Sequence, residues 1–460
     1  MARPPRLATE DLSSRLQHTG PTSAADLATV FRVDRSTITR TLGDLGPEIA
    51  SIGATRRTRY ALRRKVRKTA TTWTLYRIDA KGRPEPRGTL EALHGAWRIH
   101  WNDTAPTWAP HFTDPDGLCA SLPGFLRDLQ PAGFLGNAEA QRLAMGLQVP
   151  PDPRLWQDDD LVMFLLTAGS DLPGAWILGD DALRRALALQ IQSHPDTTLA
   201  PHQAMMRYPE LATRTMTGSS LGGLAGGEQP KFLATLEESG VERRQVLVKF
   251  SPPVAQGTGR RWADLLAMEW HALELLAEVG LAERGHRLID AGGRRFLEIS
   301  RFDRTLQGGR HPVISLKSLN RSHGADWTAK AADLEKWGLI DAKETAKVQR
   351  LQAFGELIGN DAMHAENLTF RMPDELPLEL APAYDMLPML WAPGPQGELM
   401  DRIFAPPPPV PAAAEAWREM LSLAREFWSR VIADQRVSRE FAATARMAGE
   451  VLTRLHERFG

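Results

Sequence analysis

The sequence is poor in cysteine and has no long apolar runs. Cys119 is the single cysteine among 460 residues, which excludes an internal disulfide framework and a cysteine-based zinc cluster. No run approaches eighteen consecutive apolar residues, so a membrane span is not expected. The first residues lead into polar sequence without the apolar core of a signal peptide. These absences predict a cytoplasmic protein with no membrane partner.

The net charge of zero conceals two oppositely charged parts. Residues 1–70 hold fourteen Lys/Arg and six Asp/Glu, a net charge of +8, which leaves −8 on the rest of the chain. A length of 460 residues is typical of about three domains. This asymmetry predicts a basic module for a polyanion, joined to a body with another task.

The basic module has the pattern of a winged helix-turn-helix. Ser23–Asp26 resembles a capping box that opens a short helix, and Asp34 precedes a second helix with Ile38 and Leu42 on one face. A hairpin with a basic tip would follow as the wing. The alternative is a small helical protein-interaction domain with a solvated charge. The residues predicted to contact duplex DNA are Arg35, Ser36, Thr37, Thr39 and Arg40 on the second helix, with Arg57 and Arg59 on the hairpin.

A glycine-rich segment at 218–227 is a candidate phosphate loop. Gly226 and Gly227 let backbone N–H groups approach a polyphosphate, and Lys231 follows at the start of a strand-like run. A flexible surface linker is the alternative for this segment. Its sequence matches neither a Walker A loop nor a dinucleotide fingerprint.

A strand lysine and a helix glutamate follow this loop in the order used by kinases. Lys249 ends an alternating strand, where kinases place the lysine that contacts the α- and β-phosphates. Glu269, in the next predicted helix, is suited to pair with it. The backbone from Glu298 to Ser300, at the end of a later strand, is a candidate hinge for adenine.

The segment Gly359–Asn367 carries the most informative pattern. Asn367, followed eighteen residues later by Asp385, is how kinase-like folds hold magnesium against ATP. Such folds place a base aspartate five residues before the asparagine, and that position is Ala362. The metal ligands are therefore expected, and the catalytic base is missing.

Together these motifs resemble the HipA family of bacterial serine/threonine kinases, the toxins of toxin–antitoxin systems. The resemblance covers roughly residues 75–450, and the fused N-terminal module is similar to the single-chain HipH (YjjJ) branch. The segments that carry it are Gly226–Phe232, Val248–Phe250, Ser300–Arg304, Gly359–Asn367 and Ala381–Met386.

The resemblance implies ATP and Mg²⁺ as cofactors and a protein substrate, by family precedent an aminoacyl-tRNA synthetase. In the family's Asp-x-His-x-x-Asn loop, His364 and Asn367 match and Ala362 replaces the aspartate. Asp361 is one residue too early, so its role as a base is doubtful. Ala362 is either an engineered replacement or natural to a pseudokinase. Family autophosphorylation makes Ser219 and Ser220 candidates, with ordinary loop serines as the alternative.

The predicted fold class is α+β, a two-lobed HipA-type kinase fold after a small winged helix-turn-helix. The expected domains are 1–68, 69–305 and 306–460, and an oligomer is compatible with the sequence. The apolar face from Trp417 to Val431 and a helix from Ser438 to Arg458 predict a helical C-terminal core. Two alternatives are a DNA-binding regulator with a nucleotide-sensing pseudokinase domain and, less favoured, a small-molecule kinase.

Overall fold

The computed structural model describes residues 7–460 apart from 193–195, 219–223, 225, 239–241, 320–325, 395 and 401. Four sheets and fourteen α-helices are formed by these residues, which confirms the predicted α+β class. Among them, no helix combines the length and the apolar character needed to cross a bilayer.

The N-terminal part packs three helices against a small antiparallel sheet of order β1-β3-β2. Ser23 starts the second helix, because its Oγ accepts a hydrogen bond from Asp26 N at 3.1 Å, as the capping-box pattern predicts. The elements are α1 (Thr9–Thr19), β1 (Thr22–Ser23), α2 (Ala24–Phe31), α3 (Arg35–Asp44), β2 (Ile49–Ile52) and β3 (Arg59–Leu62).

A middle region forms a five-stranded sheet of order β7-β6-β5-β4-β8 covered by helices. Its first three strands lie between residues 72 and 101, and a turn at 79–83 joins the first two. Its elements are β4 (Thr72–Ile78), β5 (Pro84–Leu93), β6 (Ala96–Trp101), β7 (Leu118–Cys119), α4 (Gly124–Arg127), α5 (Gly133–Leu147), α6 (Asp158–Ala168), β8 (Trp176–Leu178) and α7 (Asp180–Ile191).

The following small lobe is a second five-stranded sheet, of order β12-β13-β11-β10-β9. One helix covers each face: α8 packs on a cluster that includes Phe232 and Phe296, and α9 carries a run of fully buried leucines. The elements are β9 (Thr198–Leu199), α8 (Ala204–Met216), β10 (Lys231–Glu238), β11 (Glu242–Phe250), α9 (Gly259–Glu278), β12 (Arg287–Ala291) and β13 (Arg294–Ser300).

The C-terminal lobe is mainly helical. All seven apolar residues predicted on the face from Trp417 to Val431 are buried, and Ser438 caps the last helix, so both C-terminal predictions are confirmed. The elements are β14 (Val313–Ser315), α10 (Leu316–Leu319), α11 (Trp327–Lys336), α12 (Ala342–Ile358), β15 (Thr369–Arg371), β16 (Glu379–Leu380), α13 (Ala414–Ala433) and α14 (Arg439–Phe459).

Arginines at the end of the basic module fasten it to the middle region. Arg63 pairs with Glu91 at 2.6 Å, and Arg64 pairs with Asp159 at 2.8 Å while lying over the Trp97 ring. From the sequence alone, the charges of Arg63 and Arg64 would be counted as available to a binding partner, but these contacts pair them within the chain. Part of the +8 of residues 1–70 is therefore neutralised within the chain.

A second group of buried charges joins the middle region to the connection between the lobes. Asp303 accepts from Arg301 at 3.0 Å and from Arg304 at 2.6 Å. Asp171 of the middle region accepts from the same two arginines at 3.2 and 2.7 Å. Arg310 donates to the carbonyl of residue 170 at 2.7 Å. We call these five residues the hinge cluster, since Arg301–Arg304 directly follows β13.

Candidate functional site

Lys249 lies at the centre of a buried group of charges between the two lobes. Its side chain is 3% exposed, and Nζ donates to Glu269 Oε1 of α9 at 2.5 Å and to Asp385 Oδ1 of the C-terminal lobe. Burial alone would lower the pKa of Lys249, but the carboxylates of Asp385 and Glu269 outweigh burial and raise it. Lys249 therefore stays charged and links the small lobe to Asp385.

Lys231 brings the candidate phosphate loop to the same place. It is the first residue of β10 and lies directly across the ladder from Lys249. Its Nζ is buried and donates to the Gly226 carbonyl at 2.5 Å, and burial lowers its pKa to about 8. Gly227 has φ +89°, and an added Cβ would lie 2.4 Å from Lys231 Nζ. The positive φ therefore favours glycine where the loop approaches the lysine.

The loop after α12 is held in shape by two asparagines. Gly359 ends the helix with φ +78°, and Asn360 is buried directly after it. Asn360 Oδ1 accepts from Ala362 N at 3.1 Å, while its Nδ2 donates to the Asp385 carbonyl at 3.3 Å. Asn367 Nδ2 donates to the Ala362 carbonyl at 3.0 Å. Asn360 thus fastens this loop to Asp385, a role that the motif alone does not reveal although Asn360 lies within it.

Asn367 and Asp385 keep oxygen atoms for a cation. Among the hydrogen bonds of the described residues, Asn367 uses Nδ2 and Asp385 uses Oδ1, which leaves Asn367 Oδ1 and Asp385 Oδ2. Amide and carboxylate oxygens are the ligands that Mg²⁺ prefers, and it commonly takes only one or two protein groups beside substrate phosphates. No three His, Cys, Asp or Glu side chains of the described residues form a metal cage. The donor set fits magnesium held together with a nucleotide.

None of the three predicted catalytic positions offers a carboxylate base held in place. Ala362 has no ionisable group. Asp361 is exposed and makes no hydrogen bond or ion pair with the described residues. His364 Nδ1 lies 3.3 Å from Glu366 Oε2, and this hydrogen bond raises the pKa of His364, so the ring tends to hold its proton. The fixed loop therefore lacks a proton acceptor at position 362.

The structure corrects the predicted role of Glu298. Its peptide groups lie in a ladder with a strand on each side, and its register places the side chain on the face of the sheet opposite Lys249. The buried carboxylate accepts from Tyr208 Oη at 2.6 Å and from Arg244 Nη2 at 2.7 Å. Glu298 is thus committed to small-lobe packing. Ser300, the last residue of β13, lies beyond the pairing with β12.

Ser219 and Ser220, the predicted autophosphorylation sites, lie outside the described residues.

The middle region supports the phosphate loop through the first residues of α5. Phe134 N donates to the Gly227 carbonyl at 2.8 Å. Gly133 has φ +67°, and a Cβ added there would lie 2.4 Å from the same carbonyl oxygen. The sequence gives no sign of this contact, because Gly133 is one glycine among many.

Replacing Gly133 with alanine should destabilise this contact. The positive φ and the clash with Gly227 together predict a loss of about 2–4 kcal/mol in the free energy of unfolding. Urea denaturation of the full chain measures it. Gly146→Ala is the matched control in the same helix, with no atom within 4 Å of the new Cβ. That change should stabilise by about 0.5–1 kcal/mol. Equal effects of the two changes would refute the role of Gly133.

The second candidate surface lies on α3. Arg35, Ser36, Thr39 and Arg40 are exposed along one side of the helix. Thr37 differs from the prediction: it is 7% exposed and faces the core beside Ile38. A threonine tolerates either environment, so its type alone did not reveal which face it occupies.

Arg59 also differs from its predicted role. Its Nη2 donates to Asp114 at 2.6 Å and to Asp116 at 2.8 Å, both in the middle region. The guanidinium is therefore neutralised by the chain itself. Arg57, two residues earlier, is exposed. The sequence could not reveal partners more than fifty residues away.

Comparisons with known proteins agree with the HipA resemblance. The family model of the "YjjJ-like toxin, middle domain" matches residues 69–187, and that of the "HipA-like C-terminal domain" matches residues 220–453. Toxin YjjJ of Escherichia coli K12 is 32% identical over 446 residues, which cover 95% of this chain and 96% of that protein.

The solved structures include a HipA fold that matches most of the chain. It is HipA of Shewanella oneidensis MR-1, in a complex with HipB and its operator DNA. The match has a TM-score of 0.50 and 15% identity, and it covers 84% of this chain and 97% of that one. At this identity the likeness establishes the fold only.

Proposed function

This chain belongs to the HipA family of toxins, and we propose that it is a serine/threonine kinase that binds Mg·ATP but lacks its catalytic base. The observation that carries the proposal is Lys249, buried between Glu269 and Asp385. Kinases use a strand lysine, a helix glutamate and a metal-binding aspartate in this arrangement to hold ATP. The nucleotide would lie in the cleft that these residues line between the lobes.

Each group has a distinct task in this proposal. Lys249 and Lys231 bind phosphate oxygens, and the Gly226–Gly227 backbone lies beside them. Asn367 and Asp385 would hold magnesium, which neutralises charge on the β- and γ-phosphates. The peptide groups around Ser300 would contact adenine. The normal reaction would pass the γ-phosphate to a serine or threonine, whose hydroxyl proton needs an acceptor at position 362.

The protein target follows only from family precedent. An aminoacyl-tRNA synthetase is the expected substrate, and its phosphorylation would stop translation and growth. With Ala362 in place, transfer should be negligible, so this chain would hold a nucleotide without arresting growth. The proposed domain division is a DNA-binding part at 1–68, a middle part with the small lobe at 69–305, and the large lobe at 306–460.

Nucleotide binding tests the first part of the proposal. We expect the full chain to bind a fluorescent ATP analogue in the presence of Mg²⁺, and Asp385→Asn to weaken binding by roughly tenfold or more, since it removes a charged ligand. Titration with and without Mg²⁺ measures both effects. Asp103→Asn, at an exposed loop carboxylate, is the control. Binding that is unaffected by Asp385→Asn would refute the proposed metal site.

We further propose that residues 1–68 form a winged helix-turn-helix that binds duplex DNA. Support comes from the order of the elements: two helices with a short junction, of which α3 exposes Arg35 and Arg40, and then the β2–β3 hairpin with Arg57 near its tip. DNA binding would allow the chain to regulate its own gene, or it would keep the kinase inactive while the chain is bound to DNA. A separate DNA-binding protein would then be unnecessary.

Replacing Arg40 with alanine should weaken DNA binding. We expect wild-type affinity to fall steeply between low and moderate salt, and Arg40→Ala to lose about one unit of the salt slope because one phosphate contact is removed. Electrophoretic mobility shifts at several salt concentrations measure it. Arg63→Ala, at a residue already paired with Glu91, should leave the slope unchanged. Salt-independent binding would contradict the proposal.

Ala362 favours a second candidate function. A chain without a catalytic base could serve as a DNA-binding regulator whose kinase fold only senses nucleotide. In that case ATP should alter DNA affinity, and a restored aspartate should have no effect on growth.

A further inference from the structure

A cavity of about 380 Å³ lies behind the phosphate loop, outside the proposed ATP site. One wall is formed by α5, α7 and the end of α6, and the other by β10 and Leu224. Small-molecule sites typically have volumes of about 300–1,000 Å³, so its size suits a small ligand. No role in the proposed phosphoryl transfer uses this cavity.

The lining combines an apolar interior with one uncompensated charge. Leu135, Leu143, Leu224 and Leu233 supply much of the apolar surface. The acids and bases on the rim are mostly paired: Arg142 binds Glu139 at 2.5 Å, and Asp171 belongs to the hinge cluster.

Arg185 is the exception on the rim. Among the described residues it donates to the Leu166 carbonyl at 2.6 Å and to no acid. A guanidinium beside an apolar cavity matches a ligand with an anionic head and an apolar body.

The cavity is directly coupled to the phosphate loop. Leu224 N donates to the Asp171 carbonyl at 3.1 Å, and its side chain lines the cavity. Phe134, also in the lining, donates its N–H to Gly227 O. An occupant that moves Leu224 or Phe134 therefore acts on Leu224 and Gly227, which lie seven and four positions before Lys231.

We propose that this cavity is a regulatory site for a small amphipathic anion, such as a medium-chain carboxylate, that alters nucleotide affinity. The carboxylate binds Arg185 and the alkyl chain occupies the leucine-lined interior. The regulatory part rests on the proposed ATP binding, whereas binding of the anion is independent of it.

Calorimetry with decanoate on the full chain, without nucleotide, tests the site. Saturable one-to-one binding is expected, with acetate and decanol each roughly tenfold weaker or worse, since one lacks the apolar body and the other the charge. Arg185→Gln should weaken decanoate by roughly tenfold. Arg184→Gln is the matched control, because this exposed neighbour on α7 pairs with Asp181 and does not line the cavity. Leu189→Trp, at a half-exposed rim position, should block entry without disturbing the core.

Two results would overturn the proposal. If decanoate binding does not saturate, or if decanoate binds equally to wild type, Arg185→Gln and Leu189→Trp, the proposed site is refuted. Decanoate that binds as expected but leaves the affinity for a fluorescent ATP analogue unchanged removes the regulation. The expected change in ATP affinity at saturation is about fivefold or more, within the usual range of allosteric coupling. A chain that binds decanoate but no ATP would instead refute the proposed function and leave the site standing.

Discussion

Replacing Ala362 with aspartate should raise the rate of phosphoryl transfer by about 10²–10⁴-fold, the usual contribution of a general base. The backbone at this position is already fixed, because Asn360 holds its N–H and Asn367 its carbonyl. A carboxylate introduced there would therefore extend from a fixed backbone position. Single-turnover transfer from radiolabelled ATP measures the change, either as autophosphorylation or on a candidate protein target.

Two further variants show whether a gain in transfer comes from the carboxylate at position 362. Ala362→Asn has nearly the size of aspartate without its basicity and should stay inactive. Asp361→Ala should change nothing, since Asp361 is exposed and has no partner among the described residues. If Ala362→Asp stays inactive while Asp361→Ala abolishes residual transfer, Asp361 is the base. In a growth assay, arrest by Ala362→Asp favours the toxin, and unchanged growth favours the regulator.

Lys249→Met should lower the free energy of unfolding by about 3–5 kcal/mol, the usual cost of removing one partner of a buried ion pair. Glu269 is fully buried, and Asp385 would then face it with Lys231 as the main remaining counter-charge among the described residues. ATP binding should be lost in the same variant. Urea denaturation of the full chain, followed by tryptophan fluorescence, measures stability.

Lys317→Met is the matched control for that change. Lys317 pairs with Glu366 at 2.7 Å, but both side chains are about half exposed, so the loss should stay below about 1 kcal/mol. Adding Glu269→Gln to Lys249→Met should recover part of the stability, because it removes the unpaired charge. Equal denaturation midpoints for Lys249→Met and Lys317→Met would contradict the central position of Lys249.

The sequence predicted best those residues whose role depends on local pattern. Lys249 and Glu269 could be found because an alternating strand and the following helix present them in a known order, and the structure brings them together at 2.5 Å. The family assignment, which rests on several such segments, is confirmed by the comparisons.

Residues with distant partners were beyond such reasoning. Arg59 resembles a DNA contact until Asp114 and Asp116 are seen beside it. From its sequence position Glu298 was predicted to be a hinge residue. The structure places its strand between two others and its carboxylate against Tyr208. Asp114 and Tyr208, the neighbours that determine these two roles, are each more than fifty residues away in sequence. A local sequence pattern cannot predict such contacts.

The hinge cluster bears on how fast a nucleotide can leave the cleft. Arg301 and Arg304 follow the strand that connects the lobes, and Asp171 ties both to the middle region. Opening of the lobes would bend this connection. The middle region must then either move together with the connection or lose its buried ion pairs to Arg301 and Arg304, and breaking such pairs is costly. Slow opening means long residence of whatever is bound, and product release rather than transfer would then limit turnover in a restored enzyme.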